Sequence, residues 1–147
     1  MPVHSPVGVT TLGSALDVLE TTALDTEEVY WGSSWITEGS LNSALGTTQP
    51  SGSPAIASWG SSRLDAFVID RQNRLLHAYF NVGSGSWRSD PANPIANDAV
   101  GDPVAVSRSS GKVEVFYRTF VGSLTHGLYN GASWTWQPNI LYSNSIQ

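Results

Sequence analysis

The chain has 147 residues, the length of one domain. Charged residues make up 13%, about half of the usual ~25%. With 6 Trp, 5 Tyr and 4 Phe this is not the charge-rich, aromatic-poor composition of a disordered segment. A net charge of -5 excludes the basic face that a nucleic-acid binder needs. The absence of Cys excludes disulfide scaffolds, thiolate metal sites and Cys nucleophiles. No apolar run is long enough for a transmembrane helix, so no membrane insertion is expected. The stretch from Met1 to Pro6 lacks a charged n-region and an apolar h-region. The expectation is a soluble protein without a visible signal peptide, with export, if any, by a non-classical route.

Taken in chain order, four landmarks recur three times. Pro6-Val7-Gly8-Val9 opens the first repeat, followed by Leu16-Asp17-Val18-Leu19, Glu28-Val29-Tyr30-Trp31 and then Trp35. The second repeat opens at Pro54-Ala55-Ile56-Ala57 and continues with Leu64-Asp65-Ala66-Phe67, His77-Ala78-Tyr79-Phe80 and Trp87. The third opens at Pro103-Val104-Ala105-Val106 and continues with Val113-Glu114-Val115-Phe116, His126-Gly127-Leu128-Tyr129 and Trp134. Within a repeat the apolar residues alternate with a period of two, which is strand and not helix. Four short strands per repeat are predicted; in the third they run over 103–108, 112–118, 123–129 and 133–137. Asn130-Gly131 predicts a tight hairpin turn between the last two. The segment Ala15–Glu28 has helical composition, but its register matches a strand pair in the other repeats, so it is read as strands. Ser51–Ser53 and Asp90–Asp102 read as loops between repeats.

Four-stranded units of this length fit the blades of an all-β propeller. Strand two of the second repeat carries apolar groups on both faces, Leu64, Ala66 and Val68 against Phe67 and Ile69, as a blade between two others requires. The predicted repeats run over about 6–53, 54–102 and 103–147 in a single domain. Three blades leave two apolar faces uncovered, and propellers close with four to eight. Two chains are expected to make a six-bladed ring with two-fold symmetry; the alternative is that the sequence is a piece of a longer propeller.

The landmarks support a resemblance. The run Pro54-Ala-Ile-Ala-Ser-Trp-Gly, then Leu64-Asp-Ala-Phe-Val, Leu76-His77 and Gly85-Ser-Trp87, resembles a blade of the bacterial propeller lectins typified by the Photorhabdus lectin. The third repeat matches in Val113-Glu-Val-Phe, Leu124-Thr-His126 and Trp134. The first matches in Leu16-Asp-Val-Leu and Trp35, with Glu28 near the place of the His. A more distant resemblance is to the fucose-specific six-bladed lectins, whose site implies an Arg on strand two, a Glu on strand three and Trp residues three and eight positions after it. Here Glu28 is followed by Trp31, three on, and Trp35, seven on, and His126 by Tyr129 and Trp134, at three and eight. The Arg position holds Asp17, Asp65 or Glu114, a departure at the key cation. The resemblance implies a glycan partner, with fucose or a related monosaccharide as the expected sugar.

A sugar offers a patch of C–H groups and a rim of hydroxyls, so its site needs an aromatic plane and a few fixed polar groups. Trp31, Trp35, Trp59, Trp87, Trp134, Trp136 and Tyr129 supply candidate planes; Glu28, His77 and His126 supply candidate donors and acceptors. Clefts between blades repeat around the ring, which gives weak sites avidity. Each candidate has a competing role: the Trp residues in packing between blades, the His residues in a hydrogen bond within the blade. Asp17, Asp65 and Glu114, inside apolar strands, need partners and are expected to cap backbone N–H groups of an adjacent blade. No nucleophile elbow, zinc pair or paired acid and base is present, so no catalysis, cofactor or metal is expected. The reading is a multivalent carbohydrate-binding lectin; the alternative is a propeller scaffold for protein partners.

Overall fold

The computed structural model describes residues 7–140. The Pro6 landmark and the end of the third repeat from 141 onward lie outside the described residues. The first sheet contains β1 (Val7–Leu12), β2 (Ala15–Thr21), β3 (Thr26–Trp31) and β4 (Trp35–Ser40). The second contains β5 (Ala55–Ser58), β6 (Arg63–Ile69), β7 (Leu75–Asn81) and β8 (Ser86–Ser89). The third contains β9 (Ala99–Ser109), β10 (Lys112–Thr119), β11 (Leu124–Tyr129) and β12 (Trp134–Gln137). Each is an antiparallel meander in which successive strands pair, as the repeat predicts. Among the described residues no helix is long and apolar enough to cross a membrane.

Local chemistry sets the hairpins. Between β2 and β3 the Thr22 N–H donates to the Asp25 carbonyl at 2.8 Å, and the Asp25 N–H donates to the Thr22 hydroxyl at 3.1 Å. That turn is why Ala15–Glu28 is a strand pair. Between β11 and β12 the Asn130 side-chain oxygen accepts the N–H groups of Ala132 and Ser133, both at 3.0 Å, while Gly131 takes a φ of +94°. An Asn-Gly pair suits that geometry, because Gly adopts positive φ without a Cβ clash.

Two features depart from the expected loops. Asp90–Asp102 is not loop throughout: β9 starts at Ala99, which is buried and pairs with Thr119. A short helix, α1 (Asn42–Leu45), lies in the connection from β4 to β5, with Leu41 and Leu45 buried against the second sheet. One helical turn carries too few residues to show a period.

The three sheets are blades stacked face to face, with β1 beside β5 and β5 beside β9. A Cβ added at Gly8 of β1 would lie 3.1 Å from the Pro54 carbonyl oxygen, so the innermost strands approach closely. Strand β6 is buried along its whole length. Leu64, Ala66 and Val68 join Leu19, Leu41 and Leu45 between blades one and two. Phe67 and Ile69 join Ala99, Val113 and Val115 between blades two and three. Each Val, Leu, Ile or Phe among them contributes about 1.5–3 kcal/mol on full burial. The period-two alternation therefore places β6 between two separate cores.

Gly127 of β11 lies opposite Trp136 of β12, and a Cβ there would enter the Trp136 ring. Gly127→Ala is expected to cost about 1–3 kcal/mol, the usual range for overpacking, read as a lower urea midpoint with unchanged slope. A midpoint equal to wild type would mean that the indole moves aside freely.

Candidate functional site

Strand register makes the three blades comparable residue by residue. Glu28, His77 and His126 pair with Leu19, Phe67 and Phe116 and so occupy one position. Asp17, Asp65 and Glu114 stand two residues before those strand-two partners. Trp31, Phe80 and Tyr129 face Trp35, Trp87 and Trp134 across the outermost strand pair. In blades one and two the acidic residue and the Glu or His look toward the next blade, while the Trp of blades two and three looks back toward the preceding one. A cleft is thus built from one blade's acid wall and the next blade's Trp.

Between blades two and three this cleft is filled from within. Arg63 donates to Asp65 from Nε at 3.1 Å and from Nη2 at 2.7 Å. His77 bridges two carboxylates, with Nε2 2.8 Å from Asp65 and Nδ1 2.6 Å from Asp90. The Trp134 indole N–H of blade three donates to Asp90 at 2.8 Å. The Arg63 guanidinium carbon lies 4.4 Å from the Trp59 ring centre, 4.3 Å from Tyr79 and 5.3 Å from Tyr129. Trp136 stacks on Trp134 at 5.4 Å. Burial disfavours a charged imidazole, but the hydrogen bonds and charges of Asp65 and Asp90 outweigh it and raise the His77 pKa. Burial also opposes ionisation of Asp90, yet His77, the Trp134 indole and the Ala92 N–H hold its carboxyl at about 2. His77 is 1% exposed with both nitrogens engaged, and the aromatic faces of this cleft surround Arg63.

Between blades one and two the chemistry differs. Glu28 stands where His77 stands, and its carboxylate accepts the Trp87 indole N–H at 2.6 Å. That bond fixes the Trp87 ring, which lies 5.9 Å from Phe80. The two rings line a cavity of about 460 Å³ whose polar rim includes Glu38, Ser40, Ser43, Ser86 and Ser89. Asp17, which is 4% exposed, has an Oδ2 with no hydrogen-bond partner among the described residues. Burial raises the Asp17 pKa against a hydrogen bond from the Leu12 backbone. Glu28 is pushed up to about 7, chiefly by burial, with the charges of Asp17 and Glu38 adding to it and the Trp87 hydrogen bond opposing it.

The outer faces of blades three and one carry the corresponding side chains. On blade three, His126 Nε2 lies 2.9 Å from Glu114, which also pairs with Arg108, and His126 Nδ1 lies 3.1 Å from Gln137. Phe116 stacks on His126 at 4.7 Å, as Phe67 stacks on His77 at 4.6 Å. On blade one, Trp31 and Trp35 meet edge to face at 5.3 Å and are 41% and 56% exposed.

The ten sequence candidates therefore separate into three groups. Glu28 and Trp87 meet between blades one and two; Trp59, His77, Tyr129, Trp134 and Trp136 gather between blades two and three; Trp31, Trp35 and His126 stand on the outer faces. The expectation that the strand-two carboxylates cap backbone groups of an adjacent blade is corrected: Asp65 and Glu114 pair with Arg and His side chains of their own blade. Asp17, the first-repeat member, has only its own blade's Leu12 backbone. The sequence reading missed Arg63, Asp90 and Gln137. Arg63, two residues before Asp65 on one strand face, was legible by period two. Asp90 and Gln137 follow the last strand landmarks and become partners only through pairing.

A raised carboxyl pKa has a direction in stability. Between about pH 4.5 and 7 folded Glu28 keeps a proton that the unfolded chain releases, so stability falls as pH rises through that window. Glu28→Gln keeps an acceptor for Trp87 and has no such loss. The variant is expected to exceed wild type by about 2–3 kcal/mol at pH 8 and to match it near pH 4, read from urea unfolding at both values. Equal stabilities at pH 8 would contradict the assignment.

No family model matches the chain, and no curated protein matches it. Solved structures do. The chain is similar to the SapL1 lectin in complex with alpha methyl fucoside, at 14% identity and a TM-score of 0.69, over 92% of this chain and 47% of that one. It is similar to the Aleuria aurantia lectin, described as a six-bladed β-propeller with a novel fucose recognition mode, at 21% identity and a TM-score of 0.67, over 90% of this chain and 44% of that one. It is similar to a fucose lectin from Kordia zhangzhouensis in complex with methyl-fucoside, at 12% identity and a TM-score of 0.64, over 89% of this chain and 96% of that one. The chain spans a little under half the length of the first two and nearly all of the third. At these identities the likeness establishes the fold: the three sheets are β-propeller blades.

Proposed function

We propose that this protein is a non-catalytic, multivalent lectin that binds fucose or a related monosaccharide in clefts between blades. The observation that carries the reading is the cavity between blades one and two. Its volume of about 460 Å³ lies within the range of small-ligand sites. Trp87 and Phe80 offer planes for sugar C–H groups. Glu38 and the serine hydroxyls offer rim hydrogen bonds. The fucosides bound by structures of the same fold support fucose over other sugars, and the blade landmarks support the finer likeness to Photorhabdus-type lectins.

The three repeats act as one domain, and two copies close a six-bladed ring. Twice within the chain the acid–aromatic face of one blade receives the Trp of the next. Blade three ends on such a face, with Glu114, Phe116 and His126, and blade one presents Trp31 and Trp35. A second copy brings these together twice around a two-fold axis. Each chain would then supply several clefts, and repetition would convert weak sites into avidity.

Trp87→Ala is expected to weaken methyl-fucoside binding by about 1–3 kcal/mol, the range for stacking on an aromatic plane. Trp87→Phe, which keeps a plane, is expected to retain most of the affinity. Isothermal titration on folded variants reads both. Unchanged affinity in Trp87→Ala would remove this cleft from the sugar sites.

A further inference from the structure

We infer that the cleft between blades one and two contains a cation-binding position, formed by the Asp17 and Glu28 carboxylates, that takes a guanidinium or primary ammonium group from outside the described chain. The inference stands independently of the carbohydrate reading.

The chain's own repeat supplies the comparison. In the neighbouring cleft, Asp65 is neutralised by Arg63, two residues earlier on the same face of β6. The third blade has Lys112 at that place, two residues before Glu114, and pairs Glu114 with Arg108. The first blade has Ala15. Its second cation is also missing, because Glu28 replaces the His that bridges Asp65 and Asp90 in blade two. A position that holds a carboxylate against an arginine and a histidine in one cleft thus holds two carboxylates and, among the described residues, no cation in the other.

The orphaned atom marks the place. Asp17 is 4% exposed, yet its Oδ2 has no hydrogen-bond partner among the described residues. An unpaired buried acceptor is costly, the more so when charged. The walls are also related. Tyr30 and Phe80 occupy the register positions of Tyr79 and Tyr129, two of the rings around Arg63. Leu12 stands at the position of Trp59, beside Ala15. Negative charge on Glu38 adds to the local field felt by Glu28. An acid pair beside the register positions of Tyr30 and Phe80, with the methyl of Ala15 where the neighbouring blade carries Arg63, suits a compact organic cation. Hydrogen bonds from such a donor would satisfy Asp17 Oδ2, and its charge would offset one of the two carboxylates.

The test uses methylguanidinium as probe at pH 8, with the Trp87 indole N–H resonance as reporter because that group donates to Glu28. Methylguanidinium is expected to move the resonance saturably, while sodium chloride at equal ionic strength does not. Asp17→Asn is expected to weaken the titration by about tenfold or more. Ala15→Arg supplies the missing group within the chain and is expected to abolish the titration and raise the melting temperature. A comparison of galactosamine with N-acetylgalactosamine separates an amino-sugar source from a side-chain or small-amine source. The proposal is overturned if the indole resonance does not respond, if salt alone reproduces the response, or if Asp17→Asn titrates like wild type.

Discussion

Asp65→Ala is expected to be the most damaging single substitution in the chain, with a loss of about 3–5 kcal/mol. Asp65 is fully buried and accepts from Arg63 and from His77. Removing it leaves the Arg63 guanidinium without its carboxylate and His77 with Asp90 alone, and stranded buried charge is costly. Domain stabilities of about 5–15 kcal/mol make such a loss a large fraction of the whole. Arg63 is also the centre of the Trp59, Tyr79 and Tyr129 cage, so its displacement loosens the joint between blades two and three. Asp65→Asn keeps an acceptor oxygen and is expected to cost clearly less. Urea unfolding followed by circular dichroism orders the three proteins. A loss for Asp65→Ala below about 1 kcal/mol, the level of an exposed ion pair, would show that water reaches this network.

The second large effect is expected at the outer faces. Trp31→Ala with Trp35→Ala should convert a two-chain particle into a single chain, and glycan-surface binding should fall by about 10²-fold or more as paired sites separate. Trp35 is the register equivalent of Trp87 and Trp134, and each of those donates its indole N–H to the preceding blade, to Glu28 and to Asp90. On blade three, Gln137 stands where Asp90 stands and contacts His126 in the same manner. The exposed Trp pair, with Val9 on the same face of blade one and Val104 and Val106 on the opposite outer face, is apolar surface of the kind that marks an interface. Light scattering reads the mass. A wild-type particle of one folded chain would contradict the two-copy ring, whereas an unaltered mass in the double variant would place the interface elsewhere.

The fold was legible because its signal repeats. Four landmarks at fixed spacing fixed blade number and strand order, and period two in Leu64–Ile69 showed that both faces of the middle blade are covered. Helix α1 was not legible, since a single turn in one blade has no counterpart in the others. The candidate site was half legible. The equivalence of Glu28 with His77 and His126 followed from spacing, and register bears it out. Partner choice did not follow, because Asp90 reaches His77 from beyond the last strand and Trp87 reaches Glu28 across 59 residues of chain. Such contacts arise from blade stacking, a tertiary event that local pattern does not encode. The departure at the fucose-lectin cation position takes a physical form: Arg63 supplies a cation from two residues away in one blade, Arg108 from the innermost strand in another, and blade one has none among its described residues.

The central claim, that inter-blade clefts bind a fucose-like sugar without turning it over, is tested most directly on a glycan array with competition by methyl fucoside. The account predicts binding to fucosylated glycans that free methyl fucoside abolishes, with the glycans recovered intact. Folded, two-chain protein that leaves the array blank, or binding indifferent to methyl fucoside, would contradict it.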